Sequence, residues 1–151
     1  MKTDVVQLVF ALLSVVFGGA AECLLPKVCG VGFPVLLAAS VAMSARRPVR
    51  SAAVFALAAG AMEDSLSGLP TATSVAYFLL VVLGSRRIGL PPAVAALAYP
   101  VYQLWLWLWS AEVNGGVFIR LLVSVPVGFA TVVAVSLLVT HLERKAAIGE
   151  R

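Results

Sequence analysis

Few side chains in this chain could do chemistry, and the densest group of them is the run Gly60-Ala61-Met62-Glu63-Asp64-Ser65-Leu66-Ser67-Gly68-Leu69-Pro70. An acid-base dyad would need two carboxylates facing each other, but adjacent residues on a helix diverge by about 100°, which sets Glu63 and Asp64 apart. No further acid falls within an apolar segment. Ser65 and Ser67 lack a basic neighbour in sequence to activate a hydroxyl. His141, the only histidine, stands at the end of the last apolar run beside Glu143 and Arg144, an interfacial position rather than a catalytic one. Cys23 and Cys29 lie six residues apart without metal-ligating neighbours. A disulfide is one reading of them in an oxidising periplasm, and small apolar packing is the favoured one. Ion-coupled transport keeps ionisable groups near the membrane midplane, where this chain offers only Gln103 and scattered Ser and Thr. The chain therefore reads as a non-enzyme with no metal and no cofactor, and small-molecule binding near one surface stays open.

These residues sit in an apolar framework. Of the 151 residues 62% are hydrophobic and 12% charged, against roughly 25% charged in soluble domains, and the mean hydropathy is +1.04. Charges are clumped at Arg46, Arg47 and Arg50, at Glu63 and Asp64, at Arg86 and Arg87, and at Glu143, Arg144 and Lys145. A single transmembrane domain is expected over residues 1–151, all-α, with six spans at about 5–21, 28–44, 48–62, 71–84, 91–110 and 116–140. About 20 residues cross the apolar core of a bilayer and about 17 suffice. The third and fourth segments are short, which leaves a re-entrant hairpin as the competing arrangement. With six spans and both termini inside, the inner side receives nine of the eleven Lys and Arg residues, and the outer side only Lys27 and Arg120, as the positive-inside rule requires. The same rule accounts for the pI near 9.5 without nucleic acid. No cleavable signal peptide is expected. The chain thus reads as a multi-pass protein with membrane lipids as its surroundings.

Ala52, Ala56, Gly60 and Asp64 recur every four residues and share one face of the third segment. Small residues at that spacing let membrane helices approach closely. Asp64 continues the stripe and faces protein, whereas Glu63 points towards the headgroup zone; a solvated helix end is the equal competitor on spacing alone. Gly68 and Pro70 turn the chain into the next helix. Arg120 is the expected partner of Asp64, with Glu112 competing for it. Trp105, Trp107 and Trp109 occupy the outer end of the fifth segment as a belt anchor, with a ligand-stacking platform as the less favoured reading. Pro100 is expected mid-span, kinking the fifth segment, and Pro126 to kink the sixth.

Pro34-Val35-Leu36-Leu37, the Arg46-Arg47-Pro48 loop and the run from Gly60 through Asp64 and Gly68 to Pro70 together resemble the bacterial rod shape-determining protein MreD family, over about residues 32–87. The chain departs from that family at Val35, where an acid is common, and in carrying Glu63 beside Asp64. The resemblance implies a small inner-membrane component of the cell-elongation machinery, non-enzymatic, binding the coiled-coil protein MreC and influencing peptidoglycan synthases indirectly. The family is similar in architecture to the substrate-binding subunits of energy-coupling-factor vitamin transporters. A vitamin or metabolite uptake subunit is therefore the rival expectation.

Overall fold

Helices follow the apolar runs, and prolines and left-handed residues set their ends. The computed structural model describes residues 2–68, 70, 72–88, 97–110 and 116–149. Every regular element among them is a helix: α1 (Lys2–Leu24), α2 (Val35–Arg46), α3 (Val49–Ser67), α4 (Thr73–Ile88), α5 (Ala98–Ser110) and α6 (Val117–Gly149). Pro26 cannot donate to the helix ladder, and α1 stops just before it. Cys29 and Gly30 then take φ of 52° and 80° in a tight turn closed by paired Val28 and Val31 backbone bonds of 2.9 Å, as two-residue primed turns require. Pro34 and Pro48 occupy the N-cap positions of α2 and α3, and Gly68 ends α3 at φ 65°.

α3 lies centrally, packing most extensively on α4 and also on α2 and α1; α2 further contacts α4 and α6, and α5 lies on α6. The stripe expected from spacing faces inward: Ala52, Ala56, Gly60 and Asp64 are all buried in α3, with Phe55 and Ala59 beside them. A methyl on Gly60 would lie 2.5 Å from Cα and 2.7 Å from N of Val75, so glycine is what lets α3 and α4 touch backbone to backbone. Phe55, Phe78, Leu36 and Val82 fill the surrounding core.

Polar groups lie inside and large apolar ones outside. Ser40, Ser74, Ser124 and Thr131 are buried, while Phe17, Leu80, Leu108 and Phe118 (82% exposed) face outwards. Ser40, Ser124 and Thr131 bond back to the carbonyls of Leu36, Leu121 and Val127 at 2.7–2.9 Å, so burial leaves their hydroxyls satisfied. Among the described residues one stretch, the 26-residue Val117–Leu142, is long and apolar enough to cross a membrane, and most of it is not buried within the chain.

Several boundaries differ from those expected. α2 starts at Val35 rather than near Val28, because the Val28–Val31 turn and Pro34 occupy the approach; its 12 residues rise about 18 Å, short of a roughly 30 Å apolar layer. Pro100 falls in the first turn of α5, where its missing N–H costs no helical bond, and not mid-span. Pro126 is inside α6. Residues 91–96 of the expected fifth span lie outside the described residues.

Gly60→Ala is expected to lower the melting temperature of the purified protein in detergent, at an overpacking cost of about 1–3 kcal/mol. Gly84→Ala serves as the control, since nothing lies within 4 Å of its added methyl, and should leave melting unchanged or raise it. Equal melting of the two variants would contradict the close approach of α3 and α4.

Candidate functional site

At one end of the bundle, two acids are used to start helices. The first N–H groups of any helix lack intrahelical acceptors, and Pro34 at the N-cap of α2 supplies none through its side chain. Asp64, at the end of α3, turns inward and is 6% exposed; its Oδ1 accepts the Ser74 N–H at 2.7 Å in the first turn of α4. Glu22, at the end of α1, does the same for α2, its Oε1 accepting the Leu36 N–H at 2.7 Å. A carboxylate at a helix N-terminus also meets the positive end of the helix dipole.

The α4 start is tied further to α5. Ser74 Oγ and Tyr102 Oη lie 2.6 Å apart, Trp105 Nε1 donates to the Thr73 carbonyl at 3.2 Å, and the Tyr77 hydroxyl donates to the Ala98 carbonyl. The rings of Tyr77 and Tyr102 are 5.0 Å apart, and Phe78 meets Tyr102 edge-on at 5.7 Å. From the neighbouring turn of α5, the Tyr99 hydroxyl donates to the Gly32 carbonyl at 2.6 Å, fastening the α1–α2 loop.

Between these ties lies a cavity of ≈ 450 Å³. Glu22 and Lys27 come to it from α1 and the loop, Glu63 and Ser67 from α3, and Tyr99, Tyr102 and Gln103 from α5, with Phe33 and Phe78 completing the wall. The Glu22 and Glu63 carboxyls both reach this wall, close enough to act on each other. Glu22 stands beyond the apolar run 5–21, outside the part of α1 expected to span. Burial first, and then the Glu63 carboxyl, hold it well above the ordinary carboxylate range, against the N–H groups of Leu36 and Val35, which favour the charged form.

Asp64 does not pair with Arg120. Its Oδ1 is taken up by α4, and its Oδ2 is buried with no hydrogen-bond partner among the described residues. Arg120 stands instead against the α1–α2 loop, where a methyl on Gly30 would lie 3.6 Å from its Nε. Glu112 lies outside the described residues. Ala52, Ala56 and Gly60 serve packing within the chain, and Gly68 and the exposed Pro70 turn it. Glu63 is half-buried against Glu22 rather than simply directed to the headgroup zone. Ser65 and Ser67 bond back to the carbonyls of Ala61 and Glu63 at 2.8 and 2.6 Å. Cys23 and Cys29 are exposed and free, which fits neither the disulfide nor the favoured small apolar packing; Cys29 is spent in the tight turn. Trp105 packs at 6.2 Å from Tyr77 and bonds α4, which makes it part of the bundle and more than a belt anchor. The side chain of Trp109 lies outside the description.

Glu22 is the residue that sequence reasoning passed over. The signal was its position: it closes the first apolar segment at the same end at which Glu63 closes the third. Among the described residues no three His, Cys, Asp or Glu side chains converge as a metal set. Comparison of the chain with protein-family models, with curated proteins and with solved structures finds no match in any of the three.

Three outcomes follow from the acids. Asp64→Ala should cost about 0.5–2 kcal/mol of stability, as loss of an N-cap acceptor does. A double-mutant cycle of Asp64→Ala with Arg120→Ala should show coupling of no more than about 0.5 kcal/mol; a larger value would restore the ion pair. Because the Glu22 carboxyl titrates above its ordinary 4.5, the stability it contributes is complete below that value and is lost as pH rises towards the raised one. Glu22→Gln keeps an acceptor for Leu36 and removes the titration. Its melting temperature should match the unsubstituted protein near pH 4 and exceed it at about pH 8, and parallel melting curves across that range would refute the carboxyl pair.

Proposed function

We propose that this chain is a multi-pass bacterial inner-membrane protein of the cell-elongation machinery, similar to MreD, with both termini in the cytoplasm. It acts without catalysis, as an assembly component that binds an MreC-like coiled-coil protein and supports peptidoglycan synthesis through it. One observation carries the reading: the residues of the resemblance, Gly60, Asp64 and Gly68, are those on which the α3–α4 hairpin is built. Gly60 permits the backbone contact with Val75, Asp64 holds the Ser74 N–H, and Gly68 reverses the chain at φ 65°. A motif used in this way shapes a rigid surface and leaves its acid unavailable for chemistry. The apolar exterior and the arginines at the close of α2 and α4 are in keeping with the described helices lying in the bilayer, the short α2 sheltered by α3, α4 and α6.

The second reading, a substrate-binding subunit of a vitamin or metabolite transporter, is favoured by the ≈ 450 Å³ cavity, which falls within the roughly 300–1,000 Å³ of small-molecule sites. Co-expression with MreC separates the two. The assembly reading expects co-purification with the full-length chain, weakened by Asp64→Ala. If the unsubstituted protein, shown to be folded, fails to associate, that reading is lost. A vitamin-sized ligand recovered from the purified protein by mass spectrometry, in place of the association, would establish the uptake reading.

A further inference from the structure

The cavity carries both signs of charge. Glu22 and Glu63 bring their carboxyls together on its wall, and Lys27 lines it from the α1–α2 loop. Among the described residues Lys27 forms no salt bridge with either carboxyl, so the poles do not cancel each other within the chain. Gln103 adds an amide, and the rings of Phe33 and Tyr99 add apolar wall. The walls are also held in place: Glu22 by Leu36, Tyr99 by Gly32 and Tyr102 by Ser74, at 2.6–2.7 Å. A site fixed before its ligand arrives avoids the cost of ordering it on binding.

We propose that this cavity binds a zwitterion, with a primary ammonium between the carboxyls of Glu22 and Glu63 and an acidic group directed to Lys27. A primary ammonium carries three N–H donors, and two carboxyls with the Gln103 amide oxygen offer it matching acceptors. A metal ion is poorly served, since no third carboxyl, histidine or thiol joins the pair among the described residues. A quaternary ammonium has no N–H to give the carboxyls. A purely anionic ligand would meet Lys27 only to face Glu22 and Glu63 behind it. The same chemistry is presented by the ethanolamine phosphate headgroup of a phospholipid and by a free amino acid. The inference rests on neither functional reading, because a zwitterion can be held by an assembly protein or by an uptake subunit.

The test uses the full-length protein purified in detergent. It is titrated with phosphatidylethanolamine, phosphatidylglycerol and phosphatidylcholine under native mass spectrometry, and with glycine and ethanolamine phosphate by calorimetry. If the source is lipid, phosphatidylethanolamine binds at least about tenfold more tightly than phosphatidylglycerol. If it is free, a soluble zwitterion binds and the lipids show no such preference. In either case Glu63→Gln and Lys27→Ala should each weaken binding by about tenfold, with helix content by circular dichroism unchanged. Glu22 is left intact because it also starts α2. Should Glu63→Gln not fold, phosphatidylcholine replaces it as the probe of the ammonium pole and must bind about tenfold more weakly than phosphatidylethanolamine. Equal binding of the lipids together with no soluble zwitterion bound overturns the proposal, as does binding that only one of the two poles affects.

Discussion

A helix that starts in apolar surroundings has to find acceptors for its first N–H groups, and this fold depends on how that is met. An amide buried away from water without an acceptor costs several kcal/mol, and Asp64 and Ser74 are both buried. The chain answers with the helix that has just ended. Glu22, on the last turns of α1, reaches forward to Leu36 in α2, and Asp64, near the end of α3, reaches to Ser74 in α4. At the other end of the bundle the polarity reverses. Arg86 donates to the carbonyls of Ser44 and Arg47 at the close of α2, and Arg46 donates to Thr140 Oγ1 at 2.7 Å in α6. Acidic side chains thus stand at the starts of α2 and α4 and a guanidinium closes the end of α2, as the helix dipole favours.

This arrangement gives the charged clumps a structural reading as well as a topological one. Arg86 closes the carbonyl end of α2 and ties it to α4, and Arg46 ties it to α6. Gly60 works with the acid caps. A capped α4 is of use to the bundle only if it lies against α3 closely enough for Asp64 to reach Ser74. Removing the Cβ at Gly60 brings the two backbones together at the turn of α3 that precedes Asp64. Small residue and acid are therefore one device, four residues apart on one helix face.

Much of this could be read from the sequence, because the physics involved is periodic. The small-residue stripe and the turn at Gly68 follow from spacing along one segment, whereas spacing leaves a buried Asp64 level with a solvated helix end. What could not be read was pairing between segments. Arg120 was the expected partner of Asp64 on charge alone, but a helix start supplies N–H donors that no residue-type argument displays, and the nearest won. Glu22 and Glu63 are 41 positions apart, and only the fold brings their carboxyls into one wall. Hydropathy runs straight through Pro34 and Pro100, whereas the backbone uses each at a helix start, where proline is tolerated.

Glu22 is the residue in which the architecture and the cavity meet, and its two roles pull on its proton in opposite directions. Accepting the Leu36 and Val35 N–H groups favours the carboxylate, while burial and the Glu63 carboxyl favour the neutral acid. Asp64 lies beyond the cavity wall and serves α4 alone. The two caps are alike in geometry and unlike in consequence. The Asp64 cap is sealed within the α3–α4 hairpin and holds it constant, whereas the Glu22 cap looks onto open volume, so whatever charge enters the cavity acts directly on the acceptor that starts α2. Since α2 packs on α3, α4 and α6, that one carboxyl is the point at which the contents of the cavity and the packing of the bundle bear on each other.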